Sequence, residues 1–337
     1  MLYMLYNSLS IITRALLTFF VSFGVVFCCG NRFIKYLSKY QSGGQPIRED
    51  GPQSHLEKKQ GTPTMGGILI ILSILFSCLL LGNLNNIFLI LSLIVSLGFS
   101  FIGFIDDYKK VSKHDYHGIS AKLKMVLQIV ISIICCYLVY KYTNNDSKIY
   151  FPFVKDLFID IGYLFIPWAI FVIIGSSNAV NITDGLDGLA IVPIIITSIC
   201  FFIMSYIKPE QQELCIFLSA LIGSGLGFLW FNTSPAKVFM GDTGSISIGA
   251  VLGFIAVILK NEFTYAIIGG IFVIETLSVM IQVLYYKKTK KRIFLMAPLH
   301  HHFEQKGLAE TTIVTRFWII SFILAIIGLM NIYIVII

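Results

Sequence analysis

Hydrophobic residues come in long, nearly unbroken runs along this chain, separated by short polar connections. A helix that crosses a bilayer needs about 20 apolar residues. Ten stretches qualify: 11–31, 66–83, 86–105, 122–141, 161–180, 186–206, 212–231, 244–260, 263–285 and 313–336. The pattern predicts an all-α polytopic membrane protein with about ten transmembrane helices. No soluble-like block exceeds about thirty residues, so residues 1–337 read as one integral membrane domain. The first run is long and has no clear small-residue cleavage site, so it is expected to stay as a span. Pro167 and Pro193 are expected to bend their helices.

Two stretches depart from the helical pattern. Residues 148–161, "KIYFPFVKDLFIDI", alternate aromatic and β-branched residues around Val154-Lys155-Asp156, which predicts a short β-hairpin. "VLYYKKTKKRIFLMAPLHHHF" mixes bases with apolar residues and is expected to extend the ninth helix, then lie along the membrane surface.

Composition supports the membrane reading. The chain is 56% hydrophobic and 13% charged, with a mean hydropathy of +0.83, more apolar side chain than a soluble globule needs. Cys28, Cys29, Cys78, Cys135, Cys136, Cys200 and Cys215 all fall in apolar runs without CxxC spacing. They are expected to be small buried apolar residues rather than disulfides or zinc ligands.

Charge sets the orientation. Of 25 lysines and arginines, 19 fall in the loops of one side, leaving Arg14, Lys141, Lys148, Lys155, Lys208 and Lys260 on the other. The positive-inside rule puts the richer side in the cytoplasm and both termini in the periplasm. The net charge of +7 then lies mostly on one face, which would attract anionic lipid or an anionic substrate.

The unusual polar motifs, and all six histidines, fall on that same basic side. In "GFIDDYKK", Asp106 and Asp107 follow an apolar run directly. A helix C-terminus disfavours anions, and adjacent carboxylates repel, so a positive partner is required: Lys109, Lys110 or Mg²⁺. In "NAVNITDGLDGLA", Asn178, Asn181, Asp184 and Asp187 recur every third residue, and Gly185 and Gly188 predict that the helix breaks there to line a polar cavity. In "FNTSPAKVFMGDTGS", Asp242-Thr243-Gly244-Ser245 looks like a cap opening the eighth span, and a helix N-terminus is also a natural phosphate site. In "APLHHHFE", three consecutive histidines on a helix point about 100° apart, so they cannot all hold one metal. "KKQGTPTMGG" places Pro63 at a helix start and glycines where a ligand or another backbone could approach. A channel or transporter is disfavoured, because the spans themselves are poor in charge; Glu275 is the main exception.

These five motifs, in this order from Lys58 to Glu304, closely resemble those of the phospho-N-acetylmuramoyl-pentapeptide-transferases, within the polyprenyl-phosphate N-acetylhexosamine-1-phosphate transferase superfamily (glycosyltransferase family 4). The Pro-Leu-His-His-His-Phe-Glu run favours that branch over sister enzymes using UDP-N-acetylglucosamine. The resemblance implies transfer of phospho-MurNAc-pentapeptide from UDP-MurNAc-pentapeptide to undecaprenyl phosphate, giving lipid I and UMP. That is the first membrane step of peptidoglycan synthesis, run with Mg²⁺ at the cytoplasmic face of the bacterial inner membrane. It implies Asp242 as the best Mg²⁺ ligand, with Asp106 and Asp107 as further ligands and catalytic residues, and His300 or His301 at the phosphates or donor. Lys59, Thr64, Asp187, Asn232 and Phe239 are implied at the uridine. Lys110, Lys122, Asn178, Asn181 and Asp184 are implied along the phosphates. It also implies a homodimer in the lipid bilayer and no nucleic-acid partner. In the family the residue matching Asp106 has been proposed as a base or as a covalent nucleophile. A lipid phosphate monoester has a second pKa near 6 and is mostly dianionic at pH 7, which favours direct in-line attack.

Overall fold

The computed structural model describes residues 9–41, 61–113 and 118–336. The expected site residue Lys59, and His55, His114 and His117, lie outside the described residues. The helices are α1 Ile11–Tyr40, α2 Gly67–Leu81, α3 Ile87–Lys113, α4 Ala121–Tyr142, α5 Phe165–Thr183, α6 Ile191–Ile207, α7 Leu214–Asn232, α8 Gly241–Leu259, α9 Glu262–Ile268, α10 Gly270–Thr289, α11 Leu299–Gln305 and α12 Glu310–Ile336. Among the described residues, eight are long and apolar enough to cross a membrane; α2 and α6 are shorter apolar helices at two further predicted spans.

Helix α8 is the axis of the bundle. It is apolar all round, and every residue from Thr243 to Leu259 is buried, as expected of a core helix. Its apolar window is 94% buried, against 28% for α1 and α10, which face outward. Water does not drive helices together inside a bilayer, so close packing and hydrogen bonds must. Ser176 donates to the Gly249 carbonyl at 2.6 Å, Ser177 to Ile246 at 2.8 Å, and Ser247 to Ser96 at 2.6 Å. These bonds fix α5 and α3 against α8.

At the bundle end away from the acid-rich motifs, Arg14 is 7% exposed. Its guanidinium donates to the Leu81 carbonyl at 2.7 Å and to Glu213 at 2.5 Å, and Glu213 also accepts the Asn83 N–H. One buried ion pair thus joins α1, the end of α2 and the start of α7. The predicted hairpin is present there: β1 Lys148–Tyr150 pairs antiparallel with β2 Phe158–Asp160, Ile149 opposite Ile159. Its turn is tied to α12 where the Phe153 N–H donates to Asn331 at 2.6 Å.

Several expectations change. Helix α3 continues to Lys113, so Asp106 and Asp107 sit inside it rather than at its end. The continuous span expected at 263–285 is interrupted at Gly269, between α9 and α10. Pro167 and Pro193 fall in the first turns of α5 and α6, where a missing N–H costs nothing and no bend is needed. Cys28 and Cys29 are exposed on α1; the other five cysteines are buried. Helix α10 runs to Thr289, and Lys290 then adopts the left-handed conformation, so the basic stretch turns off the helix instead of extending it further.

The clamp predicts that Arg14→Met lowers stability by about 3–5 kcal/mol, because Glu213 is left buried without its cation. The double variant Arg14→Met/Glu213→Leu should recover most of that loss. Thermal unfolding in detergent reads both; a harmless single variant contradicts the clamp.

Candidate active site

Helices α3 and α8 approach closely at Gly103, where an added Cβ would lie 2.2 Å from the Asp242 carbonyl oxygen. A side chain there would push apart the helices that carry the acids. One turn later on α3 come Asp106 and Asp107, 3% and 1% exposed. Asp107 caps α8 from outside: Oδ1 accepts the Asp242 N–H at 3.2 Å, and Oδ2 accepts the Thr243 N–H at 2.9 Å and its hydroxyl at 2.7 Å. The expectation that Asp242 caps its own helix is therefore corrected. Met240 holds the N-cap position, with no side-chain cap bond, and Asp242 is free to face the site.

Asp242 is the hub. Its Oδ1 accepts from Asn181 at 2.8 Å, while Oδ2 meets Lys124 Nζ at 2.7 Å and Lys110 Nζ at 3.2 Å. Asn181 also donates to Ser245 at 2.8 Å. Lys110 reaches Asp106 Oδ2 at 2.6 Å, and Asp106 Oδ1 accepts the Ile119 N–H at 2.9 Å. The positive partner required by the adjacent acids is thus Lys110 together with the N-terminal end of α8.

A second network binds the neighbouring loops. Helix α5 ends at Thr183 with Asp184 as its C-cap, so the helix breaks within the Asn/Asp motif as expected. Asp187 Oδ2 accepts the Ala236 N–H at 3.0 Å, and its own N–H donates to Glu310 at 2.9 Å. Asn232 accepts from Gly188 at 3.0 Å and donates to the Val238 carbonyl at 2.9 Å. Phe239 is half-buried; its backbone pairs with Pro63 and Gly66, each at 2.9 Å. Thr64 is held by Gln41 through both backbone groups, at 2.9 and 3.1 Å. Thr64, Asp187, Asn232 and Phe239 therefore belong to one laced set of loops beside the acids.

Other expected residues sit apart. Asn178 lies one turn before Asn181 and donates to the Ile174 carbonyl at 2.8 Å and to Gln128 at 3.4 Å. Lys122 is exposed in the first turn of α4, whereas Lys124 reaches Asp242. The three histidines diverge as their spacing predicts. His300 is fully buried against Glu275, and His301 Nδ1 pairs with Glu304 at 2.6 Å. His302 Nδ1 accepts the Leu295 N–H at 3.1 Å; burial and the Lys306 charge hold this imidazole below its usual pKa, consistent with a neutral ring. Sequence reasoning missed Lys124, Thr243 and Gln41. Lys124 stands two residues beyond Lys122 in the same turn, and helix phase brings Lys124 to Asp242; Gln41 carried no signal, because its partner is backbone.

A carboxylate oxygen from each of Asp106, Asp107 and Asp242 lies within 4.8 Å of the other two. Hard oxygen donors suit Mg²⁺, which keeps several waters and takes one or two carboxylates. Asp106 and Asp242 have oxygens facing lysine ammoniums, so of the three they could best exchange one cation for another. Asp107 is committed to α8.

Asp107→Ala should therefore cost about 2 kcal/mol or more, and Thr243→Val about 1 kcal/mol, since each removes capping bonds. Thermal unfolding in detergent tests the order; equal or absent losses would mean that Asp107 does not hold the helix start.

Comparison with known proteins points the same way as the geometry. A glycosyl transferase family 4 profile matches residues 89–260, the stretch carrying Asp106, Asp107, Asn181 and Asp242. A phospho-N-acetylmuramoyl-pentapeptide-transferase signature matches residues 59–71. Proteins named phospho-N-acetylmuramoyl-pentapeptide-transferase from Rickettsia bellii, Rickettsia felis and Rickettsia akari are each 52% identical over 332 residues, covering 94% of this chain and 92% of theirs. The chain belongs to the phospho-N-acetylmuramoyl-pentapeptide-transferase family, within glycosyl transferase family 4.

Proposed function

We infer that this protein transfers phospho-MurNAc-pentapeptide from UDP-MurNAc-pentapeptide to undecaprenyl phosphate, forming lipid I and releasing UMP in peptidoglycan synthesis. The observation that carries the reading is the Asp106–Asp107–Asp242 cluster, braced by Lys110 and Lys124, at one end of a membrane-spanning bundle of this family. A lipid phosphate and a water-soluble nucleotide can meet only at a membrane surface. The excess of basic loops on this side supports a site facing the cytoplasm, in the bacterial inner membrane. A homodimer, as the family resemblance implies, is part of the same reading.

Both reactants are anions, so the site must offset their repulsion. Lys110 and Lys124 supply fixed positive charge, and Asn181 orients Asp242 between them. Mg²⁺ is the ion this reading assigns to Asp242 and Asp106; bound there, it would neutralise pyrophosphate charge and stabilise the leaving UMP. The lipid phosphate, dianionic at pH 7, attacks the sugar-bearing phosphorus. A P–O bond forms there as the bridging P–O bond breaks, and the electron pair leaves on UMP. No side chain need first take a proton. Asp107 is poorly placed as a covalent nucleophile, since both its oxygens are occupied by α8.

Phe239, with Thr64, Asp187, Asn232 and Lys59, forms the proposed uridine site, where the Phe239 ring can stack on the base. Lys110, Lys122, Asn178, Asn181 and Asp184 are assigned to the phosphates, with Lys124 added from the geometry, and His300 and His301 to the donor side.

Detergent-solubilised protein should release UMP only with UDP-MurNAc-pentapeptide, undecaprenyl phosphate and Mg²⁺ together. Asp242→Asn should lower kcat by about 100-fold or more, and Lys124→Met by about tenfold, on the scale of a lost electrostatic contact. UMP release without the lipid, or turnover of UDP-N-acetylglucosamine in place of the muramoyl donor, would overturn the assignment. A phosphosugar trapped on Asp106 or Asp107 without acceptor would overturn direct attack.

A further inference from the structure

An ionisable residue in the middle of an apolar helix marks function or demands a partner. Glu275, in α10, has 0% exposure, and so does His300 in α11. The contact between them has two parts. Glu275 Oε1 accepts the His300 backbone N–H at 3.2 Å, and Oε2 lies 3.2 Å from His300 Nδ1. The far edge of the ring rests on another element. A Cβ built on Gly185 would fall 2.3 Å from His300 Nε2, and Nε2 has no hydrogen-bond partner among protein atoms. Gly185 belongs to the turn between α5 and α6 that carries Asp184 and Asp187. The imidazole is therefore a spacer between α10 and that turn, with a carboxylate on one side and a glycine on the other.

The backbone contact decides the ring's protonation pattern. A peptide N–H can only donate, so one carboxylate oxygen must accept it. The other oxygen of an ionised carboxylate can also only accept. Nδ1 must then carry a proton, and Nε2 faces the Asp184–Asp187 turn. We propose that Glu275 is a positioning residue: it fixes His300 with Nδ1 protonated and its ring seated on Gly185, and so sets the turn that holds the donor-side acids. This rests on the transferase reading for its effect on activity, but not for its effect on the histidine. It also separates the two histidines: His300 acts through the turn, and His301, partly exposed beside Glu304, is the one placed to meet the donor.

The test is Glu275→Gln. Its amide oxygen must still face the His300 N–H, which puts the NH₂ opposite Nδ1. A donor there forces the ring proton from Nδ1 to Nε2. Nitrogen NMR of ¹⁵N-histidine-labelled full-length protein, with a His300→Gln sample to assign the signal, should show Nδ1 protonated in the wild type and Nε2 protonated in Glu275→Gln. The donor KM should rise by at least about tenfold, the scale on which a carboxylate that orients a histidine acts, while the lipid-acceptor KM stays unchanged. Gly185→Ala, which intrudes on the ring from the other side, should move the same NMR signal and the same KM. A wild-type signal with Nδ1 unprotonated overturns the proposal even if Glu275→Gln fails to fold. An unchanged tautomer in Glu275→Gln, or a change in the lipid KM alone, overturns it too. Absence of transfer by the wild type would refute the proposed function, while the NMR result would still decide the Glu275–His300 arrangement.

Discussion

A carboxylate buried in an apolar bundle needs hydrogen-bond donors, and the first turn of a helix has N–H groups with no partner in their own helix. Asp107 and α8 satisfy each other in this way across two helices. The bond is local, but its consequences are wide. It fixes the depth of the central helix against α3, and it frees Asp242 from the capping role its position in the sequence suggests. Asp106, the adjacent residue, is then presented about 100° round the same helix toward Asp242.

Charge balance follows from that anchor. Three carboxylates with oxygens within 4.8 Å of one another would repel if left alone. Lys110 touches two of them, Lys124 touches one, and the α8 N-terminus neutralises part of the third. In the proposed function a divalent ion would compete with the ammoniums for the same oxygens of Asp106 and Asp242. A site built this way holds together through its own lysines, and the same oxygens would be available to a cation that the proposed reaction brings. The opposite end of the bundle shows the contrast: Arg14 and Glu213 are locked into carbonyls and backbone N–H groups, an arrangement that fixes helices and leaves no oxygen for exchange.

The membrane class and nearly every helix were legible in the sequence because a bilayer forces long apolar runs. The hairpin was legible from its alternation, and the helix break at Asp184 from the glycines that follow it. What was not legible depended on partners distant in sequence. The charge at Asp106 and Asp107 suggests the edge of a span, whereas Asp107 is stabilised inside α3 by the start of α8. The contact of Lys124 with Asp242 was not legible either, since it depends on helix phase and on a partner 118 positions away. The Glu275–His300 contact joins residues 25 positions apart, and neither motif alone announces the other.

The central claim is that Asp106 and Asp242 form an exchangeable cation site whose geometry depends on Asp107 and α8. The most direct measurement is an Mn²⁺ titration of the detergent-solubilised protein by electron paramagnetic resonance, with Mn²⁺ standing in for Mg²⁺. The account predicts one bound ion per chain in the wild type, lost in Asp242→Asn and retained in Asp187→Asn. Stoichiometric binding that survives Asp242→Asn would contradict it.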